Sequence, residues 1–186
     1  MFQSPSAANK TAAYNNLNEL TSLAGQPFTY DANGNLASDG QRNYAWDAEN
    51  RLAAITYAAQ PGKQTSFAYD GLGRRTAITT TLSGSPATTF YLWCGSRLCQ
   101  AVNPDGTVAR SYYDEGELLP TSATQLYYGP DRLGSVRDVA VAVGGLSSAP
   151  QAYDYDPYGN PLQTPASRPL TDFRYAGMFY HADREL

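Results

Sequence analysis

Histidine occurs once in this chain, at His181, and cysteine twice, at Cys94 and Cys99. One imidazole and two thiols exclude a zinc finger or a multi-histidine metal centre. They also exclude a scaffold held together by many disulfides. Lysine is nearly missing: Lys10 and Lys63 stand alone, and arginine supplies the rest of the positive charge. A net charge of −4 and a pI near 4.9 argue against nucleic acid or an anionic membrane as the partner. No apolar run approaches the roughly 18 residues that a membrane-spanning helix needs. The opening Met1–Lys10 stretch lacks the apolar centre of a secretory leader, so no signal peptide is expected. What is present suffices for a core: 186 residues, 42% hydrophobic and 16% charged, the size of one ordinary domain. The outlier is tyrosine, with 15 residues.

The tyrosines fall into a repeat. Segments beginning on an aromatic read Tyr14-Asn-Asn-Leu-Asn18-Glu-Leu20, Tyr30-Asp-Ala-Asn-Gly34-Asn-Leu36, Trp46-Asp-Ala-Glu-Asn50-Arg-Leu52 and Tyr69-Asp-Gly-Leu-Gly73-Arg-Arg75. Their first residues are 16, 16 and 23 positions apart. Looser copies start at Trp93, Tyr113 and Tyr155, the last reading Tyr155-Asp156-Pro-Tyr-Gly159. The fifth position is Gly or Asn in the clean copies (Asn18, Gly34, Asn50, Gly73), the residues that enter a left-handed backbone at least cost. The second is usually Asp (Asp31, Asp47, Asp70, Asp156), which accepts hydrogen bonds from amides further along its own turn. Aromatic and Leu flank the turn and pair across it. The unit therefore reads as a β-hairpin with a loop of four to five residues.

The intervening segments agree. Leu52–Tyr57, Thr65–Tyr69, Arg75–Leu82 and Thr88–Trp93 are rich in β-branched and aromatic residues, and Ser135–Val143 alternates over much of its length. No long segment keeps a 3.6-residue period, and Lys10–Leu23 reads as strand, turn, strand. Loops are expected at Gly62-Lys63, Ser83–Pro86, Pro104–Gly106, Gly144–Pro150 and Thr164–Pro169. The fold class is all-β: an antiparallel strip of repeated hairpins over 14–186, preceded by an N-terminal tail over 1–13.

These units resemble the YD repeats of Rhs-type proteins, which include components of bacterial insecticidal toxin complexes and, more distantly, the animal teneurins. The C-terminal third carries the most specific likeness. Tyr128-Gly-Pro-Asp-Arg-Leu-Gly-Ser-Val-Arg137 resembles the family's H-L-G-T/S-x-R segment, with Arg132 where a His is common. Tyr155-Asp-Pro-Tyr-Gly-Asn160 resembles its E-Y-D-P-Y-G element, and Phe173–Tyr180 with Asp183 its R-F-x-G-x-x-x-D stretch. The resemblance implies a β-strip wound into a hollow shell around a C-terminal toxin. The implied partners are the remainder of the shell, that toxin, secretion-apparatus proteins or surface glycans. The implied location is the producing bacterium's cytoplasm, then outside it. Self-cleavage and toxin activity are not carried over, because Asp156-Pro157 does not match the cleavage motif by context and the sequence stops at Leu186. About 15 strands at roughly 4.8 Å make a strip near 70 Å wide. Closed into a ring it would be about 23 Å across, too narrow for a 100-residue cargo needing roughly 34 Å. A partial wall is therefore expected.

Catalytic readings fare poorly. His181 is the only imidazole base, and no G-x-S-x-G elbow accompanies it. The aspartates recur at one repeat position, which marks turn chemistry rather than paired acids. Asp31–Asn35 begins like a calcium loop, but the sixth and twelfth positions are Leu36 and Arg42, where an EF-hand needs Gly and Glu. No cofactor is expected. Cys94 and Cys99 flank Gly95–Leu98; they are either a cross-strand disulfide or two reduced thiols. Tyr30, Tyr44, Trp46, Tyr57, Tyr69, Tyr91 and Trp93 serve either packing or, in a rival reading, a carbohydrate- or protein-binding face.

Overall fold

The computed structural model describes residues 10–163 and 171–180. Short antiparallel strands follow one another along the chain, interrupted by two 3-10 turns at Pro120–Ser122 and Tyr175–Gly177. β1 (Ala12–Tyr14), β2 (Leu20–Leu23) and β3 (Gln26–Pro27) make a small sheet of their own. Pairing then runs in sequence order through β4 (Thr29–Tyr30), β5 (Leu36–Ser38), β6 (Arg42–Trp46), β7 (Leu52–Tyr57), β8 (Gln60–Tyr69), β9 (Arg75–Leu82) and β10 (Ser85–Cys94). The order continues through β11 (Arg97–Val102), β12 (Val108–Tyr113), β13 (Gly116–Leu119), β14 (Thr124–Pro130), β15 (Val136–Val143) and β16 (Leu146–Ser147). β17 (Gln151–Ala152) returns to pair with β15, and β18 (Asp154–Tyr155) pairs with β19 (Pro161–Gln163). Among the described residues no helix is long and apolar enough to cross a membrane. The all-β, antiparallel expectation therefore holds.

The chain divides into two compact units, residues 1–90 and 91–186. In the first, paired residues sort the side chains by face. Tyr44, Ile55, Thr65 and Thr80 stand in one row across β6 to β9, and Phe67, Ile78 and Thr89 in another. Alternation puts both rows on the same face, where Ile55, Thr65 and Ile78 are buried. The opposite face carries Ser66, Thr79 and Thr88, and the Thr79 and Thr88 hydroxyls lie 2.9 Å apart.

The second unit has the larger apolar cluster: Leu126, Val136, Val139, Tyr153 and Tyr155, with Leu119, Tyr128, Val141 and Tyr175 against it. Residues 171–180 complete it. Arg174 O accepts from Val136 N–H at 3.0 Å, and Tyr175 OH donates to Pro157 O at 3.0 Å. A train of edge-to-face rings, Tyr112–Phe173–Phe179–Tyr91, has centroids 5.4, 5.7 and 5.5 Å apart. Each such pair contributes about 0.5–1.5 kcal/mol beyond area burial.

Two local expectations differ from the structure. Gly62 and Lys63 lie inside β8; the chain turns instead at residues 58–59, because Tyr57 pairs with Gln60 and a bulge then restores the register at Thr56 and Gln64. Trp93 and Tyr113 do not open five-residue loops. They precede two-residue turns at 95–96 and 114–115, since Gly or Asn is missing from the fifth position. The expected loop at Thr164–Pro169 lies outside the described residues, as does His181. Pro104–Gly106 lies within a loop as expected, while the loops at Ser83–Pro86 and Gly144–Pro150 are shorter, because Pro86 is inside β10 and Leu146–Ser147 form β16.

Gly73 has φ +75°, and a Cβ built there would meet nothing within 4 Å. The cost of a side chain is therefore conformational alone. Gly73→Val should lower stability by about 1 kcal/mol or more. Gly73→Asn should cost less, because Asn18 and Asn50 occupy the same position at φ 62° and 58°. Urea midpoints of the two variants check both.

Candidate functional site

Among the described residues one loop structure recurs seven times, at residues 15–19, 31–35, 47–51, 70–74, 103–107, 131–135 and 156–160. In each, the first residue's N–H donates to the fifth residue's carbonyl, and its own carbonyl accepts from the fourth residue's N–H. The fourth residue always has positive φ: Asn18, Gly34, Asn50, Gly73, Gly106, Gly134 and Gly159. In six loops the first residue also supplies a side-chain oxygen. Asp47 Oδ1 accepts from Glu49 N–H and Arg51 N–H, both at 2.9 Å. Asp31, Asp70, Asp131, Asp156 and Asn15 do the same. In the loop from Asn103 this role passes to Asp105, whose Oδ1 accepts from Thr107 N–H.

Four of the aromatics that precede a loop have a second task. Tyr30 OH donates to Leu20 O at 3.0 Å, Trp46 Nε1–H to Leu36 O at 2.8 Å and Tyr69 OH to Leu52 O at 2.9 Å. Tyr155 OH donates to Val136 O at 3.1 Å. Each acceptor is the residue that leaves the preceding loop, so these four aromatics tie their own hairpins to the one before. The loops themselves also touch in the first unit. Asn33 and Asn35 both donate to Asn50 Oδ1, and Arg51 reaches Asp70 O at 3.5 Å.

The loops from Asn103 and Asp131 escaped the sequence alignment because Val102 and Pro130 stand where it required an aromatic. Their signal was an Asx followed three residues later by Gly. The aromatics weighed for a binding face are all half-buried or buried. Besides the three above, Tyr44 OH donates to Asp39 and Tyr57 OH bonds with Thr65 Oγ1.

A second group, unsuspected from sequence, lies on the covered face of the second unit. Glu117, on β13, has a side chain with no exposed surface and pairs with Arg110 of β12. It also accepts from Tyr128 OH and, at 2.8 Å, from Asp172 N–H. Asp172 Oδ2 in turn accepts from Tyr112 OH at 2.7 Å and lies 3.3 Å from Arg110 Nε. Burial pushes the Glu117 carboxyl up from its ordinary value, against the pull of Arg110. Burial likewise pushes the phenols of Tyr112 and Tyr128 upward, with Asp172 and Glu117 adding to it. The contacts of Asp172 with Glu117, Tyr112 and Arg110 hold residues 171–180 down on β12 and β13, and those of Glu117 with Arg110 and Tyr128 join β12, β13 and β14. The only sequence signal was a charged residue at an inward position in each of two neighbouring strands.

Cys94 and Cys99 sit either side of the 95–96 turn with Cα atoms 5.8 Å apart, and the structure draws their sulfurs bonded. That separation is within the range a disulfide spans. Among the described residues no three His, Cys, Asp or Glu side chains are grouped to hold a metal ion.

Repeated hairpins closed by Asx turns, four of them bonded through an aromatic to the loop before, define a β-wall protein of the YD-repeat type. The chain belongs to the teneurin YD-shell family, whose model matches residues 2–186. It is 32% identical over 185 residues to the tRNA3(Ser)-specific nuclease WapA of Bacillus spizizenii, covering 97% of this chain and 8% of that protein. It is 31% identical over 184 residues to the tRNA nuclease WapA of Bacillus subtilis, again covering 97% of this chain and 8% of the relative. A double-stranded DNA deaminase toxin A of Burkholderia cenocepacia is 30% identical over 174 residues, covering 84% of this chain and 12% of that protein. The chain thus spans about a tenth of the length of these relatives. Among solved structures, a Photorhabdus luminescens Tc holotoxin pore matches with TM-score 0.61 at 15% identity, covering 93% of this chain and 11% of that one. The crystal structure of TcdB2–TccC3 gives 0.54 at 14% identity, with the same two coverages. Both share the fold.

Two outcomes follow from the geometry. Backbone amides of Arg51 and Arg74 hold the carboxyls of Asp47 and Asp70 below the usual value of 3.8, and bonds from Asn35 and Asn160 do so for Asp31 and Asp156. A depressed folded value stabilises above the unfolded value and is lost as pH falls through the folded one. The urea midpoint should therefore drop progressively below about pH 4. Asp47→Ala should lower it at pH 7, while Asp47→Asn should retain most of it, as Asn15 does in its own loop. Glu117→Ala breaks the buried pair with Arg110, leaving it Asp172 alone, and should cost about 3 kcal/mol, with Thr171–Tyr180 becoming open to protease. Urea titration and limited proteolysis read the two effects.

Proposed function

We propose that this chain is a structural segment of the β-wall of a larger Rhs-type toxin protein, and that it performs no catalysis itself. The observation that carries this reading is the bond that Tyr30, Trp46, Tyr69 and Tyr155 each make to the carbonyl of the residue leaving the preceding loop. It makes the repeat a unit of wall-building, and the aspartates at the repeat's second position are occupied in their own turns. The family membership supports the same role. The nuclease and deaminase activities named for the relatives belong to proteins about ten times as long as this chain.

In this reading the partners are the rest of the wall and a toxin domain carried with it. The chain is made in a bacterial cytoplasm and leaves it as part of that assembly, by a route that involves secretion proteins. The rival reading, a glycan- or protein-binding face built on aromatics, is disfavoured by the internal bonds of Tyr30, Tyr44, Trp46, Tyr57 and Tyr69. We take the Cys94–Cys99 disulfide to be the native state outside a reducing cytosol.

The purified chain should neither cut tRNA nor deaminate double-stranded DNA. Turnover that disappears in His181→Ala or Glu117→Gln would overturn the non-catalytic reading. Strands β4 and β16 end the ladder among the described residues, each with one partner, and unpaired strand edges template further pairing. Light scattering at tens of micromolar should therefore show self-association; a stable monomer would count against the wall. Thiol titration of protein purified without reductant should find no free thiol, and two would rule out the disulfide.

A further inference from the structure

In the first unit, side chains bridge one loop to the next. Between loops 31–35 and 47–51, Asn33 and Asn35 both donate to Asn50 Oδ1, at 3.1 and 2.8 Å. Between loops 47–51 and 70–74 the bridge is Arg51. Its guanidinium lies over the Tyr69 ring, 4.9 Å from the centroid. It binds the carboxylates of Asp47 and Glu49 at 2.7 and 2.9 Å and reaches Asp70 O at 3.5 Å. A flat cation thus rests on an aromatic face while its in-plane donors serve carboxylates and a loop carbonyl.

Loops 15–19 and 31–35 meet differently. The fifth residue of the loop is a donor in Asn35, Arg51 and Arg74, and an acceptor in Glu19. Glu19 Oε2 accepts from Asn15 Nδ2 at 2.6 Å, the Asp47–Arg51 pair with its polarity reversed. Among the described residues Glu19 Oε1 accepts from no donor. It faces the next loop, since a Cβ built on Gly34 would lie 3.6 Å from it. A cleft of about 520 Å³ separates the two loops, with Leu17, Glu19, Phe28, Tyr30 and Asp31 in its lining. Tyr30 holds the place here that Tyr69 holds beside Arg51: each precedes its loop and donates to the residue leaving the loop before, Leu20 and Leu52. Asp31 corresponds to Asp70, and its carbonyl likewise accepts from the fourth residue of its loop, leaving a second lone pair. The cleft therefore offers the ring, the carboxylate and the carbonyl that hold the Arg51 guanidinium, with Glu19 standing where the arginine would be. Leu17 and Phe28 add apolar surface for an alkyl stem.

We propose that the cleft between loops 15–19 and 31–35 is a binding site for a small alkylguanidinium ion, a property beyond wall-building. The planar fork donates to Glu19 Oε1 and Asp31 O, and its face lies on Tyr30. An alkylammonium carries the same charge without the flat face or the fork, and binds more weakly.

The test uses the whole 186-residue chain. The probe is butylguanidinium chloride, compared with butylammonium chloride at equal ionic strength. Saturation-transfer NMR reads the signals of the small ion, so the chain need not be monomeric. Butylguanidinium should show transfer that saturates with concentration, and butylammonium should need a higher concentration. Glu19→Gln keeps the side chain's shape, removes its charge and should weaken binding about tenfold, the loss of one charge-assisted hydrogen bond. Asn15→Asp with Glu19→Arg copies the Asp47–Arg51 pair into the first loop. That variant should melt above wild type and lose the transfer, because its own guanidinium fills the cleft. Should it fail to fold, Glu19→Gln decides alone. Absence of saturable transfer, equal affinity for butylammonium, or affinity unchanged in Glu19→Gln overturns the proposal.

Discussion

One carboxylate oxygen accepting two backbone amides is the constraint on which this molecule rests. Asp47 Oδ1 closes its loop by binding the amides two and four residues on, and this fixes where the strand stops, where the next begins and in which register. The left-handed residue at loop position four turns the chain back, and the exit residue then presents its carbonyl to the next aromatic. Local chemistry of five residues thereby sets a contact between hairpins. A 16-residue spacing is what one such loop, a short turn and two strands occupy; the longer β7 and β8 stretch it to 23 between Trp46 and Tyr69.

The two units solve burial differently. In residues 1–90, alternation along the strands leaves a thin interior around Ile55, Thr65 and Ile78. In residues 91–186 the chain comes back over its own sheet, and residues 171–180 close the face with an aromatic train and a buried ionic network. Glu117 is the centre of that closure. Replacing a buried ion pair by apolar residues is often neutral in stability, whereas removing one member is strongly destabilising. The network's contribution is accordingly one of position, since Asp172 N–H reaches Glu117 and Asp172 Oδ2 reaches Arg110 only when the segment lies in its place.

The all-β fold, the hairpin repeat and the residues of the clean loops were legible in the sequence because they depend on neighbours five residues apart. Tyr30, Trp46 and Tyr69 stood out as flanking residues, but their bonds to Leu20, Leu36 and Leu52 did not, since those need the spatial order of hairpins. Requiring an aromatic at the first position hid the loops from Asn103 and Asp131, where the turn chemistry is intact without one. Glu117 meets Asp172 across 55 residues, and no local pattern announces such a pair.

The bonds between aromatic and preceding carbonyl have a mechanical consequence. Hairpins linked chiefly to their immediate neighbours can be detached one at a time from an end, each release leaving the next junction whole. Traction on such a strip meets a series of modest barriers rather than a single large one, so the chain peels. The second unit, stapled by residues 171–180 across several strands, resists in shear, because β12, β13 and β14 must part together.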